Sequence, residues 1–475
     1  MRRVRSLPVD RRPYERLSGR AEVAFYASYV AVFAIAAAAT FLLTFPVRRI
    51  ALRFGALAQP GEARVHMAPT PTVGGAAMLV GAVVAMAAAS RLAPLAPIFR
   101  GSSEPVGVVL GGLVIYAVGL VDDVRDISAP AKVAGQVLAA MVLVSLGVTM
   151  YYFKIPFVAG PIVLAPSALP LVTAVWVVGM ANAVNLIDGL DGLAAGIVGI
   201  ASGALCVYGL QLEHLGDLTS DNLGPVIAVI ACGVCVGFLP HNFHPARVFM
   251  GDGGALFLGL LTAAATMEIG GRVGSPTAAK DVAGLTFFRF APLFIPFFIL
   301  GVPILDTAFA IVRRTVRRAS LAQRDLGHLH HRLLLLGHGH RRSVLVLWAW
   351  TAVLSAVALL PTFDSRANAY VPVGAAVLGV ALYTLFRPGS RTALAEDAPP
   401  SAPAAAGAGP AAKPLSVVMS TAAGVAVAGE RDLASPRRAR RRARRHARRR
   451  TLWRGRGADQ GLGSRFARPD DPMRG

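Results

Sequence analysis

The sequence has few cysteines and few charged side chains. Three cysteines in 475 residues are too few for a disulfide-stapled fold. Charged residues make up 16% of the chain, whereas a soluble domain carries roughly 25%. Hydrophobic residues make up 55%, which is more than a soluble globule of this length can bury and far too many for a disordered chain. These proportions exclude soluble, disordered and disulfide-rich secreted proteins.

Long apolar runs dominate the chain. They reach about 17–23 residues, and each is long enough to cross a bilayer as a helix. We therefore predict an all-α polytopic membrane protein, a bundle of about 11 transmembrane helices. The predicted spans are 23–45, 73–90, 105–121, 132–150, 160–180, 192–210, 223–240, 253–270, 290–312, 343–361 and 370–386. The lone C-x-x-C of Cys232 and Cys235 is interpreted as two small apolar residues of a buried helix, because one such pair is weak evidence for a redox or metal site.

Two basic tails flank the predicted transmembrane domain, which covers residues 23–387. Residues 1–22 form a basic N-terminal tail, and residues 388–475 form an Ala/Pro-rich and Arg-rich C-terminal tail that is predicted to be disordered. Polybasic segments are attracted to anionic lipid. Nucleic-acid binding is the weaker interpretation, because no aromatic residues alternate with the arginines of 437–450. The expected partner of the tail is therefore membrane lipid, with no specific nucleic acid.

The predicted loops differ in charge between the two sides of the membrane. Loops that follow odd-numbered spans, counted with Lys132 at the edge of the fourth span, contain 15 Lys and Arg, and the opposite loops contain 7. Because positively charged loops stay in the cytoplasm, the first set is predicted to be cytoplasmic, together with the C-terminal tail. The expected location is the plasma (inner) membrane. The arginines of 1–22 fall on the other side, against the rule, so this conflict stays open.

Polar and ionisable groups gather in five clusters, all in loops of the predicted cytoplasmic face. Charged groups at membrane depth are costly and usually mark function. The clusters are Arg64-Val-His66 with Pro69 to Gly75; Asp122-Asp123-x-x-Asp126 with Lys132 and Gln136; Asn182-x-x-Asn185-x-x-Asp188 with Asp191; His241-Asn242 through Phe249 to Gly253; and Asp325-x-x-His328-x-His330-His331-Arg332. Five clusters on one side indicate a single composite site at the cytoplasmic membrane surface.

The spacing of these groups predicts a divalent-metal and phosphate site. Asn182, Asn185 and Asp188 recur every third residue and so share one helix face. Crowded carboxylates repel each other, and a bound cation offsets that repulsion. Oxygen donors without cysteine favour Mg²⁺, or alternatively Mn²⁺, over zinc. With Lys132, Arg332 and the histidines available for the remaining phosphate charge, the pattern indicates phosphoryl transfer.

The same motifs resemble the polyprenyl-phosphate N-acetylhexosamine-1-phosphate transferases, the family of MraY and WecA. The matching stretches are PTPTVGG, GLVDDVRDISAPAKVAGQ, NAVNLIDGLDGLAAG, HNFHPARVFMGDGG and HLHHRL, within about residues 48–342. The resemblance implies a Mg²⁺-dependent membrane enzyme with a cytoplasmic active site. Such an enzyme transfers N-acetylhexosamine-1-phosphate from a UDP-N-acetylhexosamine to a polyprenyl phosphate and releases UMP.

The resemblance and the clusters together predict roles for individual residues. Asp252 and Asn185 are the expected metal-binding residues. The expected catalytic residues are Asp122, Asp123, Lys132, Asp188, His328, His330 and His331. The expected substrate-binding residues are Asn182, Leu190, Asp191, Asn242, Phe249 and Arg332, of which Leu190, Asp191, Asn242 and Phe249 match positions that line a uridine pocket. Asp122 is expected to deprotonate the lipid phosphate, with a two-step route through an aspartyl-phosphate as the competing scheme.

Two features resemble the WecA branch more than the MraY branch. The histidine motif reads Asp325-x-x-His328-x-His330-His331 instead of Pro-x-His-His-His, and no lysine precedes Pro69-Thr-Pro71. The expected donor is therefore UDP-GlcNAc, in the first lipid-linked step of a cell-envelope polysaccharide. A MraY-type phospho-MurNAc-pentapeptide transferase is the alternative. A membrane transporter is the alternative from another class, although its charges usually lie at the midplane and its halves often repeat. A homodimer is left open.

Overall fold

The computed structural model describes residues 19–55, 57–58, 70–153, 162–216, 218–271, 339–363, 374 and 376–380. The predicted ninth span, most of the eleventh and nearly all of both tails lie outside these residues. The helices are α1 Gly19–Phe54, α2 Gly74–Ala89, α3 Ala96–Phe99, α4 Glu104–Arg125, α5 Ala129–Ser145, α6 Leu169–Ile187, α7 Leu193–His214, α8 Gly224–Asn242, α9 Gly251–Gly270 and α10 His340–Phe363. The fold is thus mostly helical, as the apolar runs predict.

Two short antiparallel ladders depart from the all-α prediction. Strand β1 (Leu57–Ala58) pairs with β2 (Thr70–Pro71), and β3 (Tyr152–Phe153) pairs with β4 (Ile162–Val163). Each strand has two residues, so periodicity in the sequence could not reveal it. Both ladders lie in connections between helices and leave the helical architecture unchanged.

The described helices have the lengths that a membrane requires. Within the described residues, seven helices have at least 18 residues and are apolar enough to cross a bilayer: α1, α4, α6, α7, α8, α9 and α10. Helices α2 and α5 are also apolar but have 16 and 17 residues. These helices make the chain a multi-pass membrane protein.

The fifth predicted span is displaced in the structure. It was expected at 160–180, but α6 covers Leu169–Ile187. Strand β4 and a turn precede it, and Pro170 lies in the first turn of the helix, where a missing N–H costs no hydrogen bond. The apolar run therefore begins before the helix does. The shift places Asn182 and Asn185 in the last turns of α6 instead of in a loop.

Helix α9 is the centre of the bundle. All its residues from Gly253 to Gly270 are buried, and it packs against α2, α4, α6 and α8. Its N-terminus lies very close to two neighbours, since a side chain on Gly75 of α2 would collide with the Gly254 backbone, and one on Gly119 of α4 with the Gly253 backbone. Small residues let membrane helices approach this closely. The contact brings the start of α9 beside the end of α4.

Candidate active site

Four helix ends meet at one surface of the bundle. Asp122 and Asp123 lie in the last turn of α4, and Asn185 lies in the last turn of α6. Lys132 lies in the first turn of α5, and Asp252 lies in the first turn of α9. The close packing of α9 between α2 and α4 places these polar ends side by side. Residues that are 130 positions apart in the sequence thereby form one cluster.

Lys132 is the centre of this acid cluster. Its Nζ lies 2.7 Å from Asp122 Oδ2 and also forms an ion pair with Asp252 Oδ2. The other Asp122 oxygen, Oδ1, accepts a hydrogen bond from the Ile127 backbone N–H at 3.0 Å. The side chains of Lys132 and Asp122 are 15% and 12% exposed, while that of Asp252 is 35% exposed. Asp252 is therefore the most accessible group of the three.

Asn185 completes the contacts of the cluster. With its amide turned so that each end meets a complementary partner, its nitrogen donates to Asp252 Oδ1 at 3.2 Å. Its oxygen then accepts from Lys132 Nζ at 3.0 Å. The two residues predicted to bind metal, Asn185 and Asp252, are thus in direct contact. Three oxygen atoms, from Asp122, Asp252 and Asn185, accept from the Lys132 ammonium.

Asp123 contacts the start of α9 and not Lys132. Its Oδ1 accepts from the Asp252 backbone N–H at 3.1 Å, and its Oδ2 accepts from the Gly253 N–H at 3.3 Å. These are two of the N–H groups that a helix leaves without partners at its first turn. Gly251 precedes them with φ +70°, and a Cβ there would lie 2.5 Å from Asp123 Oδ2. Glycine is therefore required at the entry to α9.

Asp188 lies just beyond the end of α6, beside the acid cluster. Its removal from water, together with the carboxylates of Asp252, Asp123 and Asp191, raises the pKa of Asp188 to about 8. Burial is the largest cause of this shift, and the three neighbouring carboxylates add to it. A cation bound beside these carboxylates would offset their repulsion.

The acid cluster fits a hard divalent cation. Its donors are carboxylate and amide oxygens, and no cysteine or histidine joins Asp122, Lys132, Asn185 and Asp252 in the contacts of the described residues. The Lys132 ammonium lies among these oxygens, which shows that they stabilise a positive charge at this place. Oxygen donors of this kind suit Mg²⁺ or Mn²⁺ better than zinc.

Asn182 makes a contact between helices. Its Nδ2 donates to Gln136 Oε1 at 2.7 Å and to the Val178 carbonyl at 2.7 Å, while its Oδ1 accepts from Gln136 Nε2 at 3.3 Å. Gln136 is fully buried on α5. The pair therefore links α5, which carries Lys132, to α6, which carries Asn185. A contact of Asn182 with substrate stays a prediction.

A second polar cluster lies in the loop between α6 and α7. Asp191 Oδ2 accepts from His244 Nδ1 at 2.8 Å and from the Ala246 N–H at 3.0 Å, and the Asp191 N–H donates to His340 Nε2 at 3.0 Å. The rings of His244 and His340 stack, with centroids 4.2 Å apart and planes 19° apart. The cluster joins the α6–α7 loop, the α8–α9 loop and the start of α10.

Three of the predicted uridine-pocket residues are buried and contact other parts of the protein. Leu190 is 3% exposed within the core, and Asn242 is 2% exposed. Asn242 Oδ1 accepts from the Gly192 N–H and its Nδ2 donates to the Val248 carbonyl, both at 3.0 Å. The Asp191 carboxylate is likewise fully covered. These contacts fix the shape of the loops, and a role of the same side chains in substrate binding stays a prediction.

The backbone of Phe249 forms hydrogen bonds with the upstream Pro-Thr-Pro motif and the residues that follow it. Its N–H donates to the Pro71 carbonyl at 2.8 Å, and its carbonyl accepts from the Gly74 N–H at 3.0 Å. The Gly75 N–H donates to the Met250 carbonyl at 2.9 Å. The segment before α2 is therefore bound along the segment that leads into α9, which brings two of the predicted clusters together.

The remaining predicted residues lie in 272–338, outside the described residues. They are His328, His330, His331 and Arg332, so their place relative to the acid cluster stays a prediction. Conversely, the contacts of His244 and His340 were not predicted. His244 lies inside the HNFHPARVFMGDGG stretch, and His340 lies three residues before the predicted span 343–361. Only their convergence on Asp191 identifies them.

Comparison with known proteins shows one family throughout. The sequence profile of glycosyl transferase family 4 matches residues 105–270. The chain is 42% identical over 361 residues to a decaprenyl-phosphate N-acetylglucosaminephosphotransferase of Mycobacterium tuberculosis (strain ATCC 25618 / H37Rv), covering 74% of this chain and 88% of the relative. The profile match covers the helices that carry the acid cluster.

More distant relatives act on two kinds of sugar. A probable undecaprenyl-phosphate N-acetylglucosaminyl 1-phosphate transferase of Bacillus subtilis is 34% identical over 331 residues, which cover 70% of this chain and 84% of the relative. A phospho-N-acetylmuramoyl-pentapeptide-transferase of Desulforudis audaxviator is 31% identical over 360 residues, which cover 68% and 96%.

Proposed function

The chain belongs to glycosyl transferase family 4, and on that premise we propose that it transfers GlcNAc-1-phosphate from UDP-GlcNAc to a polyprenyl phosphate. A phosphate oxygen of the lipid bonds to the β-phosphorus of the donor, and the bond from that phosphorus to the bridging oxygen breaks. UMP leaves, and polyprenyl-diphosphate-GlcNAc forms. This product is the first lipid-linked intermediate of a cell-envelope polysaccharide.

The observation that carries the proposal is the convergence of Asp122, Asp252 and Asn185 on Lys132. Phosphoryl transfer requires little covalent chemistry from a protein, so positioning and charge neutralisation account for most of the catalysis. A cationic centre surrounded by oxygen donors at a membrane surface offers both. We expect the lipid phosphate to reach the cluster laterally from the bilayer.

Each residue of the cluster has a distinct part in this mechanism. Lys132 neutralises the diphosphate charge that grows as the β-phosphorus is attacked. Asp252 and Asn185 would hold Mg²⁺, which when bound supplies further charge neutralisation to the diphosphate. Asp123 fixes the backbone of Asp252 through the N–H groups of Asp252 and Gly253.

The contacts of Asp122 favour a direct attack by the lipid phosphate. Both Asp122 oxygens already accept from Lys132 and Ile127, and these donors stabilise the anion. An anion held in this way is a weak base and a poor nucleophile. Because the second ionisation of a phosphate monoester has a pKa near 6, much of the lipid phosphate arrives without that proton. We therefore assign Asp122 to the orientation of Lys132.

The proposed orientation places the acid cluster in the cytoplasm, at the plasma membrane, within a bundle of eleven spans. A cysteine at exposed Arg125, beside the cluster, is then labelled by a membrane-impermeant maleimide only after permeabilisation. A cysteine at Arg100, before α4, is labelled in intact cells. Of the three native cysteines, Cys206 and Cys235 are buried and Cys232 is partly exposed, so both labelling variants carry Cys232→Ala. The reverse labelling pattern contradicts the orientation.

The transfer itself is tested with the full chain in detergent. We expect UMP from UDP-GlcNAc and polyprenyl phosphate in the presence of Mg²⁺ and none in the presence of EDTA. The Lys132→Met variant should lose at least about 100-fold in turnover, the loss typical of a preorganised electrostatic contact. The control is Arg100→Gln, an exposed change at the other end of α4.

The alternatives give different results in the same assay. The muramyl-pentapeptide nucleotide is offered in parallel, and UMP from that donor alone would assign the chain to the pentapeptide branch instead. A transporter releases no UMP from either donor. Absence of UMP with both donors, while the variants and wild type stay folded, contradicts the proposed function.

A further inference from the structure

The ring of His244 is oriented by a buried carboxylate. Asp191 Oδ2 accepts from His244 Nδ1 at 2.8 Å, and the Asp191 side chain is fully covered while a quarter of the His244 side chain is exposed. A carboxylate that accepts a hydrogen bond from one ring nitrogen fixes the tautomer of the imidazole. It also sets the direction in which the other ring nitrogen points. Nε2 of His244 has no hydrogen bond to any residue that the structure describes.

His340 supports this ring from one face. Its Nε2 accepts from the Asp191 N–H at 3.0 Å, so that nitrogen carries no proton and the ring is neutral. The His244 ring stacks on it with centroids 4.2 Å apart. The His244 ring is thus held by a hydrogen bond at one edge and by a flat contact on one face.

The cluster is poorly arranged for a metal, although its ligand atoms lie within 4.8 Å of one another. Lone pairs of imidazole lie in the ring plane, so two rings that are only 19° from parallel do not direct them to one point. The Nε2 lone pair of His340 is also occupied by the Asp191 N–H. The geometry suits a hydrogen bond between His244 and a ligand instead.

Two arginines lie near His244, beside the acid site. Arg341 Nε donates to the His244 carbonyl at 3.1 Å, and Arg247 is exposed three residues further along the chain. The carboxylates of Asp191 and Asp252 both raise the pKa of Asp188, so the two clusters adjoin. A nucleotide sugar whose diphosphate lies at Lys132 is long enough to reach past Asp188.

We propose that His244 is a donor-binding residue whose Nε2 contacts the nucleoside diphosphate of the UDP-sugar, held in place by Asp191 and His340. The inference rests on the proposed function, because it names a contact for that donor. Because the Nδ1 hydrogen is directed at Asp191, Nε2 presents a lone pair, which accepts a hydrogen bond from a ribose hydroxyl or the uracil N–H of the bound UDP.

The test separates ligand contact from structural support. In His244→Asn, the amide nitrogen takes the place of Nδ1 and keeps the bond to Asp191, but nothing replaces Nε2. In His244→Gln, the amide reaches the Nε2 position instead. The control is His214→Asn, an exposed histidine at the far end of α7. Each full-length variant is titrated with UDP by calorimetry, and its melting temperature is recorded.

We expect His244→Asn to melt like the His214→Asn control and to bind UDP about 2- to 10-fold more weakly, the effect of one hydrogen bond between neutral groups. The KM for UDP-GlcNAc should rise with a smaller change in kcat, and His244→Gln should recover part of the affinity. Equal UDP binding by His244→Asn and the wild type overturns this inference alone. A wild-type chain that binds no UDP overturns the proposed function as well.

Discussion

Asp123 holds the backbone of Asp252. The two carboxylate oxygens of Asp123, at the end of α4, accept from the first N–H groups of α9, and Asp252 projects from that first turn. A side chain normally caps its own helix, whereas here the cap comes from a helix more than 120 residues away in the sequence. The position of the proposed metal-binding residue therefore depends on how α4 and α9 pack.

The Asp123→Asn variant tests this dependence. One oxygen becomes an NH₂ group that faces a backbone N–H, so we expect a loss of about 1–2 kcal/mol in stability, as for a lost helix cap. The Mg²⁺ concentration for half-maximal activity should rise, because Asp252 is less well positioned. Melting without metal and activity against Mg²⁺ measure the two effects. Lost turnover with unchanged melting and unchanged Mg²⁺ dependence contradicts a positioning role.

Gly251→Ala should destabilise the entry to α9. The residue has φ +70°, and a Cβ would lie against Asp123 Oδ2 and the Thr72 carbonyl. Left-handed backbone alone costs roughly 1–2 kcal/mol for a residue with a side chain, and the collisions add to it. The matched control is Gly179→Ala in α6, where nothing lies within 4 Å of the added Cβ. Thermal unfolding should show a clear loss for the first change and none for the second.

Asp188→Asn should change how stability depends on pH. The folded pKa of about 8 lies above the ordinary value, so between these two pH values the folded chain binds more protons than the unfolded chain. Stability without divalent metal should therefore fall as pH rises from 4 to about 8. The asparagine variant has no such proton to lose. Its melting temperature, recorded from pH 5 to 9 in EDTA, should show a smaller decline than that of the wild type.

Gln136→Leu and Asn182→Leu test whether Asn182 acts through α5 or on the substrate. In a double-mutant cycle the two residues should couple by about 0.6–1.7 kcal/mol, the range for polar contacts between membrane helices. If the amide pair serves to align Lys132 with Asn185, both single variants lower turnover by similar factors. A far larger loss of turnover for Asn182→Leu, together with a raised donor KM, points to direct substrate contact.

Short motifs identified the site because their chemistry is local. The pair Asp122-Asp123, the Asn-x-x-Asn-x-x-Asp series and the Met-Gly-Asp-Gly turn each place polar groups next to apolar runs, and that contrast is visible in the sequence. Asp122, Lys132, Asn185 and Asp252 were predicted to act together, and they lie in direct contact. The ends of the helices were less predictable, as the displaced start of α6 shows.

Composition and apolar run length by themselves determined that this chain is a helical membrane protein, because a lipid environment leaves a chain few other ways to satisfy its backbone. The motifs determined which residue types supply the chemistry. Only the tertiary structure decided their partners: Asp123 on the α9 backbone, Asn182 on Gln136, and Asp191 between His244 and His340. Those partners depend on where distant helices end and how closely they pack, and neither is encoded in any short stretch of sequence.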